Sequence, residues 1–455
     1  MPAGTDDACA TKSSVRVALF IPTNSLGLAS SSFSRSFSAL LPRHGDPTGP
    51  AVHQQISPTP EAIGVSIKEG EAVQDILRDT KLSPVTKAKS LAQAGGYDDI
   101  VLEMTNARWR ERWERLCLRS VTADPEASTT MIRSTSRAVL PEPSEAGDLR
   151  MRVEAEEWRA QPQFHRAELN VSGSNEIKEV TLVLSQWLEL DSVDEGIRFD
   201  SEIALRQEME YAAYLGATQV ILPSPSSDPE RLPYLADYAR AIRSCLQVAG
   251  PLMKLAVRLP VSSPHILATM LKRQNLQASN GTMAMPAAAY LRTNDNWAWE
   301  TWEVLQNLCG YHTQLCIALD MSMPLPPSSS MIHWVSEPVS ILWLPSSSFL
   351  ANGKGYPVLS KSAQSLVQQL VQHAPRIILS DITTPPPQHS RGGPSAYLQY
   401  IRYLTKQKAP TTKLDAFAQG YHDWLQAPLQ PMEQNLAADV YSMFESDPVK
   451  YNLYE

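Results

Sequence analysis

The sequence is short of the features that mark disulfide scaffolds, zinc sites and membrane spans. Its five cysteines (Cys9, Cys117, Cys245, Cys309, Cys316) form no CxxC pair and no even framework, which excludes a zinc ribbon and points to a reducing compartment. The nine histidines include neither HExxH nor HxH, so the common zinc-hydrolase signatures are missing. No apolar run reaches the ~20 residues needed to cross a bilayer. Positive charge is scarce as well. There are 40 Lys and Arg against 48 Asp and Glu, a net charge of -8, which argues against broad phosphate-backbone binding. Glycine is modest at 20, whereas proline is abundant at 35, a balance that predicts long, structured loops. At 455 residues the chain has ample material for a large core and for one to three domains.

Residues 1–60 differ from the rest. Ser30–Ser38 (SSSFSRSFS) is low-complexity and Pro42–Pro60 is loop-like. This stretch predicts a disordered extension; Lys12–Arg43 also has the Ser/Arg-rich look of an organelle presequence, with Val15–Pro22 as a weak signal core.

Beyond it, strand and helix signals alternate. The strand signals are Ile63–Ile67, Asp99–Met104, Glu179–Leu184, Gln219–Pro223, Leu252–Leu259, Gln314–Leu319, Val339–Leu344 and Arg376–Leu379. Most are continuous apolar runs, the mark of strands buried on both faces. Helical spacing covers Val73–Ala94 with a break at Ser83-Pro84, then Ala107–Leu118, Ser201–Leu215, Asp228–Val248, Asn296–Leu308, the residues after Ser360, Ser395–Thr405 and Lys413–Leu425. Ser201 is the expected cap of the third of these, and Asp228-Pro229 the expected start of the fourth. A polar insertion is expected at about 120–161. Strict alternation means parallel pairing, and eight units predict an α/β fold of the TIM-barrel type, (β/α)8, over 61–430. An open Rossmann-type sheet is the alternative, but no strand signal runs into GxGxxG.

In such a barrel, chemistry sits at the carboxyl ends of the strands. Glu103, Asp320 and Asp381 fall there. Three carboxylates converging on one mouth would suit metal-assisted hydrolase or lyase chemistry; as solvated loop acids or caps they would suit none, and no metal site is predicted. Asn352-Gly353-Lys354-Gly355 lacks P-loop spacing and reads as a turn. Tyr356, between Gly355 and Pro357, reads as an exposed aromatic. Cys316 reads as core, Trp297, Trp299 and Trp302 as helix packing, and His333 and His422 as isolated.

Several long segments carry a resemblance. EYAAYLGATQVILPSP (Glu210–Pro225), YHTQLCIALDM (Tyr311–Met321), SILWLPSSSFLANGKGYPVLSK (Ser340–Lys361), YLQYIRYL (Tyr397–Leu404) and FAQGYHDWLQAPLQPMEQNL (Phe417–Leu436) resemble the amino-terminal barrel of the protein arginine methyltransferase 5 family. YSMFESDPVKYNLYE (Tyr441–Glu455) resembles the point where that barrel hands over to the catalytic domain. The resemblance covers Ser201 to the end, is weak over 63–201 and is absent before that.

The resemblance implies that the barrel is a scaffold. A downstream domain, expected beyond a linker helix at 431–455, would transfer methyl groups from S-adenosylmethionine to arginine, giving symmetric dimethylarginine. The family's groove for acidic and aromatic substrate-adaptor peptides would comprise Asn352, Lys354, Tyr356, Tyr400 and Tyr403, with Tyr356 in place of the family's Phe and Gly353 in place of a basic residue. Tyr441, Phe444, Lys450 and Tyr451 would line part of the cofactor and substrate pocket, and Phe417 and Tyr421 would lie near a neighbouring subunit. The resemblance further implies self-association, a WD-repeat partner and a cytoplasmic and nuclear location, with no direct nucleic-acid or membrane partner. No catalytic residue, no bound cofactor and no methyl transfer are expected of these 455 residues alone, and a diverged interaction protein without catalysis remains the other reading.

Overall fold

The computed structural model describes residues 15–22, 82–118, 145–269, 272, 296–407, 430, 435–446 and 448–454. Eight parallel strands close into a barrel: β1 (Val17–Ile21), β2 (Asp99–Glu103), β3 (Val180–Val183), β4 (Gln219–Leu222), β5 (Lys254–Pro260), β6 (Leu315–Asp320), β7 (Val339–Pro345) and β10 (Arg376–Ser380). Each strand pairs with its sequence neighbour, and β1 pairs with both β2 and β10 to close the ring. Between β7 and β10 a small hairpin, β8 (Leu350–Ala351) with β9 (Pro357–Val358), stands apart from the barrel.

Successive side chains on a strand point to opposite faces, and both faces here are apolar. Ala18, Val101, Val183, Ile221, Ala256, Ala318, Ile341, Trp343 and Ile378 fill the inside. Their neighbours in sequence pack outward beneath the helices. The three interior alanines make room for the one large ring, Trp343, which meets Phe20 at 4.9 Å between centroids.

The surrounding helices used below are α1 (Pro84–Ala94), α2 (Ala107–Leu116), α3 (Glu145–Ala160), α4 (Glu195–Leu215), α5 (Leu235–Val248), α6 (Trp297–Leu308), α7 (Lys361–Leu370) and α8 (Ser395–Lys406). Caps set several ends: Ser83 accepts from Thr86 N, and Ser360 from Ala363 N. None of the described helices is long and apolar enough to cross a membrane.

Four expectations change. The first strand is Val17–Ile21, inside the stretch expected to be a disordered extension. Its backbone is fixed on one side by Val17 N donating to Asp98 Oδ2 at 2.8 Å, and Arg16 reaches Asp99 at 3.2 Å. Ile63–Ile67 lies outside the described residues. The expected insertion contains α3, which docks: Trp158 is buried and donates to Gln207 Oε1 at 2.9 Å, and Arg159 clasps Asp200 with two bonds of 2.8 Å. Helix α4 starts at Glu195 because Asp194 accepts from the Gly196 and Ile197 amides. Ser201 is buried within it and accepts from Glu189 N. Asp228 caps only a single turn, through Glu230 N at 3.1 Å; α5 begins at Leu235 after a 3-10 turn.

The chain divides into two compact units, residues 1–407 and 408–455. In the second, α9 (Ala438–Glu445) and α10 (Pro448–Tyr454) are described; the expected helix at Lys413–Leu425 is outside the described residues.

Candidate functional site

The hairpin after β7 is built by one side chain. Asn352 Oδ1 accepts from Lys354 N and Tyr356 N, both at 2.9 Å. Gly355 N donates to Asn352 O at 2.8 Å, and Asn352 N to Tyr356 O at 2.9 Å. Three successive amides, those of Lys354, Gly355 and Tyr356, are therefore engaged inside the turn and are not available to cradle a phosphate. Gly355 has φ +83 and Ser390 lies directly against it, a place no side chain fits without strain. Lys354 projects from this rigid tip, exposed.

Behind the tip sit the expected helix, α8, and a loop around His389 that the sequence pattern did not single out. Tyr356 is only 8% exposed, which corrects the expectation of an exposed aromatic. Its ring lies so close to Gly392 that a Cβ there would stand 3.0 Å from two ring carbons. The Tyr400 hydroxyl accepts from Leu359 N at 3.1 Å, and burial raises its pKa. His389 joins Nδ1 to the Tyr397 hydroxyl at 2.6 Å and Nε2 to Phe349 O at 3.1 Å. A carbonyl can only accept, so Nε2 carries the proton and Nδ1 accepts from Tyr397. Burial pulls the imidazole pKa down, consistent with the neutral ring. Helix α8 thus turns Tyr397 and Tyr400 inward and leaves Tyr403 outside, 46% exposed, accepting from Gln407 Nε2 at 2.6 Å. Of the five residues assigned to the groove, Lys354 and Tyr403 face solvent, Asn352 and Tyr400 are half-buried, and Tyr356 belongs to the packing.

The barrel mouth is occupied by protein. Arg258 donates through Nε and Nη2 to Asp320 Oδ2 at 3.0 and 2.6 Å, and its guanidinium lies 4.2 Å over the Trp343 ring. Asp320 Oδ1 accepts from Ser322 N and Oγ, and Trp343 Nε1 donates to Ser380 Oγ at 3.0 Å. Both Asp320 oxygens are engaged, Asp381 is exposed in a turn with φ +58, and Glu103 is half-buried. No three His, Cys, Asp or Glu among the described residues are grouped to hold a metal ion, so the converging-carboxylate arrangement is not formed. Cys316 is core, with Ser340 Oγ donating to its sulfur at 2.9 Å and burial pushing its pKa to about 11. Trp299 and Trp302 both donate to Glu337, at 3.2 and 2.7 Å, and His333 stacks on Trp299; His422 lies outside the described residues.

A buried carboxylate, invisible in the pattern, ties the mouth's flank together. Glu208 on α4 is fully buried and accepts from Trp109 Nε1 at 2.9 Å and Ser185 N at 2.8 Å, with a very short contact to Ser185 Oγ. Thr105 Oγ1 continues the chain to Ser185 Oγ at 3.1 Å. Burial raises the Glu208 pKa to about 7 despite these donors.

In the second unit, Tyr441 and Phe444 share one face of α9 with their rings edge-on at 6.4 Å. Lys450 and Tyr451 lie on α10. Phe417 and Tyr421 fall outside the described residues.

A closed barrel of eight parallel strands surrounded by helices is the architecture of the TIM-barrel class. The family model described as the PRMT5 TIM barrel domain matches residues 96–407, and the one described as PRMT5 arginine-N-methyltransferase matches 412–455. Protein arginine N-methyltransferase 5 of Xenopus laevis is 32% identical over 290 residues, 64% of this chain and 43% of that protein. The Oryza sativa subsp. japonica protein of the same name is 33% identical over 287 residues, covering 60% and 41%. Protein arginine N-methyltransferase skb1 of Schizosaccharomyces pombe is 31% identical over 310 residues, covering 68% and 44%. The chain belongs to the PRMT5 family, and it spans less than half the length of these relatives. Among solved structures, D-allulose 3-epimerase from Methylomonas sp. is similar at TM-score 0.35 and 12% identity, over 70% of this chain and 91% of that one.

Proposed function

We propose that this chain is the scaffold barrel of an arginine methyltransferase and that its hairpin face recruits substrate-adaptor peptides of acidic and aromatic character. The observation that carries the reading is the Asn352 turn. It holds the Lys354 stem on a fixed tip, and α8, which bears Tyr403, packs against β9 at the base of the same hairpin. A fixed cation pairs with a carboxylate at little ordering cost, and an exposed ring supplies contact area with few rotamers to freeze. Tyr356, Tyr400 and His389 support the face from below.

On family grounds the complete protein uses S-adenosylmethionine, with Tyr441, Phe444, Lys450 and Tyr451 on one wall of its pocket. No step of methyl transfer is assigned to these residues. Self-association through Phe417 and Tyr421, a WD-repeat partner, and residence in cytoplasm and nucleus belong to the same proposal.

The test is fluorescence anisotropy with a labelled peptide carrying two acidic residues beside a phenylalanine. Lys354→Glu is expected to weaken binding by about tenfold or more, the loss of one charge-assisted hydrogen bond plus a new repulsion. Equal affinity for wild type and Lys354→Glu overturns the assignment.

A further inference from the structure

Away from the hairpin, α4, α5 and α6 pack side by side outside the barrel. Between them opens a cleft of about 340 Å³, lined among others by Glu202, Arg240, Arg243, Ser244, Gln247 and Leu308. Its floor is low because α5 carries alanine at 236 and 239 where the helices meet. Arg240, Arg243 and Gln247 follow at i, i+3 and i+7, so all three share one face of α5.

The charges in and around this cleft do not balance. Glu202 is held by Arg240 at 2.8 Å; Asp237 is held by Arg240 at 3.1 Å and by Arg198 at 3.6 Å. Two carboxylates are thus matched by two guanidinium groups. Arg243, one turn further along α5, is exposed and has no ion-pair partner among the described residues. The cleft therefore carries one uncompensated positive charge on a chain whose net charge is -8. Leu308, which lines the cleft from α6, is 41% exposed, and Val304, one turn before it on the same helix, is 43% exposed. An unpaired guanidinium and an exposed aliphatic side chain thus line one cleft, with Ser244 and Gln247 on α5 as further hydrogen-bonding groups in its lining.

The chemistry selects its occupant. Arg243 stands in the carboxyl-terminal half of α5, where the helix dipole opposes a concentrated negative charge. A phosphate dianion gains from one guanidinium but meets no backbone amide here. A carboxylate takes a bidentate pair from Arg243 at lower electrostatic cost, and its neighbouring aliphatic group covers Leu308 and Val304. We infer that the cleft between α4, α5 and α6 is a second docking site, which takes a partner-protein segment where an acidic residue adjoins an aliphatic one. It shares no residue with the hairpin face and does not depend on that reading.

The experiment uses the full chain and a fluorescein-labelled Gly-Ser-Leu-Glu-Leu-Ser-Gly peptide in fluorescence anisotropy. Saturable binding is expected that weakens as salt rises from about 50 mM to about 200 mM. Arg243→Glu is expected to reduce affinity by about tenfold or more, and so is replacing the peptide's glutamate by glutamine. Ala236→Trp, at an exposed helix position, fills the cleft without changing charge and is expected to block binding, with an unchanged thermal melt showing that the fold is intact. Lys354→Glu at the hairpin is expected to leave this binding unaltered, which separates the two sites. Absence of saturable binding, equal binding by Arg243→Glu, or equal binding of the glutamine peptide overturns the inference.

Discussion

Glu208 makes the stability of this barrel depend on pH in a direction opposite to that of a surface carboxylate. It is wholly buried, and burial raises its pKa from 4.5 to about 7. The folded state therefore holds this proton more tightly than the unfolded chain does. Its contribution is fully present below about pH 4.5 and is lost as pH rises through about 7. A shift of that size corresponds to about 3 kcal/mol, a large share of a domain's net stability. Glu208→Gln removes the titration but has a cost of its own. Ser185 N and Trp109 Nε1 donate to the two different carboxylate oxygens, whereas an amide offers only one acceptor, so one buried N–H loses its partner for about 1–3 kcal/mol. At about pH 5 the variant is expected to be less stable than wild type by about that amount. At about pH 8, where wild type has lost its protonated carboxyl, the two are expected to converge or reverse. Urea unfolding followed by circular dichroism at both pH values measures the gap. A gap that stays constant across this range refutes the buried-carboxyl account.

Three further outcomes follow from the packing. Leu19→Ala is expected to cost about 2–5 kcal/mol in urea unfolding, because Leu19 is a buried residue of β1; a cost near zero would show that Val17–Ile21 is no barrel strand. Arg159→Ala leaves Asp200, fully buried, without its cation, and is expected to cost about 3 kcal/mol; a loss below about 1 kcal/mol would mean that α3 is not docked as described. Tyr356→Ala is expected to lower the melting temperature, whereas Tyr403→Ala leaves it nearly unchanged and weakens peptide binding; equal thermal effects would contradict their different burial.

Seven of the eight barrel strands were legible because strands buried on both faces are continuous apolar runs, as in Leu315–Leu319 or Ile341–Leu344. The eighth was not. Val17–Ile21 is five residues long and stands before a low-complexity serine stretch, so nothing local separates it from an extension; only pairing with β2 and β10 does. Ile63–Ile67 offered an equally apolar local pattern. Helix α3 hid for a related reason, since its docking rests on Trp158 and Arg159 finding partners on α4. The Asn352 turn could be read directly, because Asn-Gly-Lys-Gly encodes it within six residues. The burial of Tyr356 could not, because the residues that cover it lie some 35 positions later, around Gly392. Glu208 sits in the run Arg206-Gln207-Glu208-Met209-Glu210, and a carboxylate in such a run reads as solvated until Trp109 and Ser185 are placed around it.

The packing of the mouth places the functional proposal on the hairpin face instead. Parallel barrels keep catalytic groups at the carboxyl ends of their strands, and those positions are present here. Those of β5, β6 and β7 are engaged with one another, however: Arg258 neutralises Asp320, covers Trp343 and leaves that ring against Phe20. An acid with both oxygens occupied and a cation stacked on a buried indole are poorly placed to bind or protonate a substrate. If the Trp343 cluster is a structural plug, Trp343→Ala should leave a void the size of an indole among Ala18, Ala256 and Ala318, and should cost about 3–5 kcal/mol in urea unfolding. If the mouth is a solvent-filled site instead, truncating the ring enlarges an existing hollow and costs little. A measured loss below about 1 kcal/mol would return chemistry to the mouth and count against the scaffold reading.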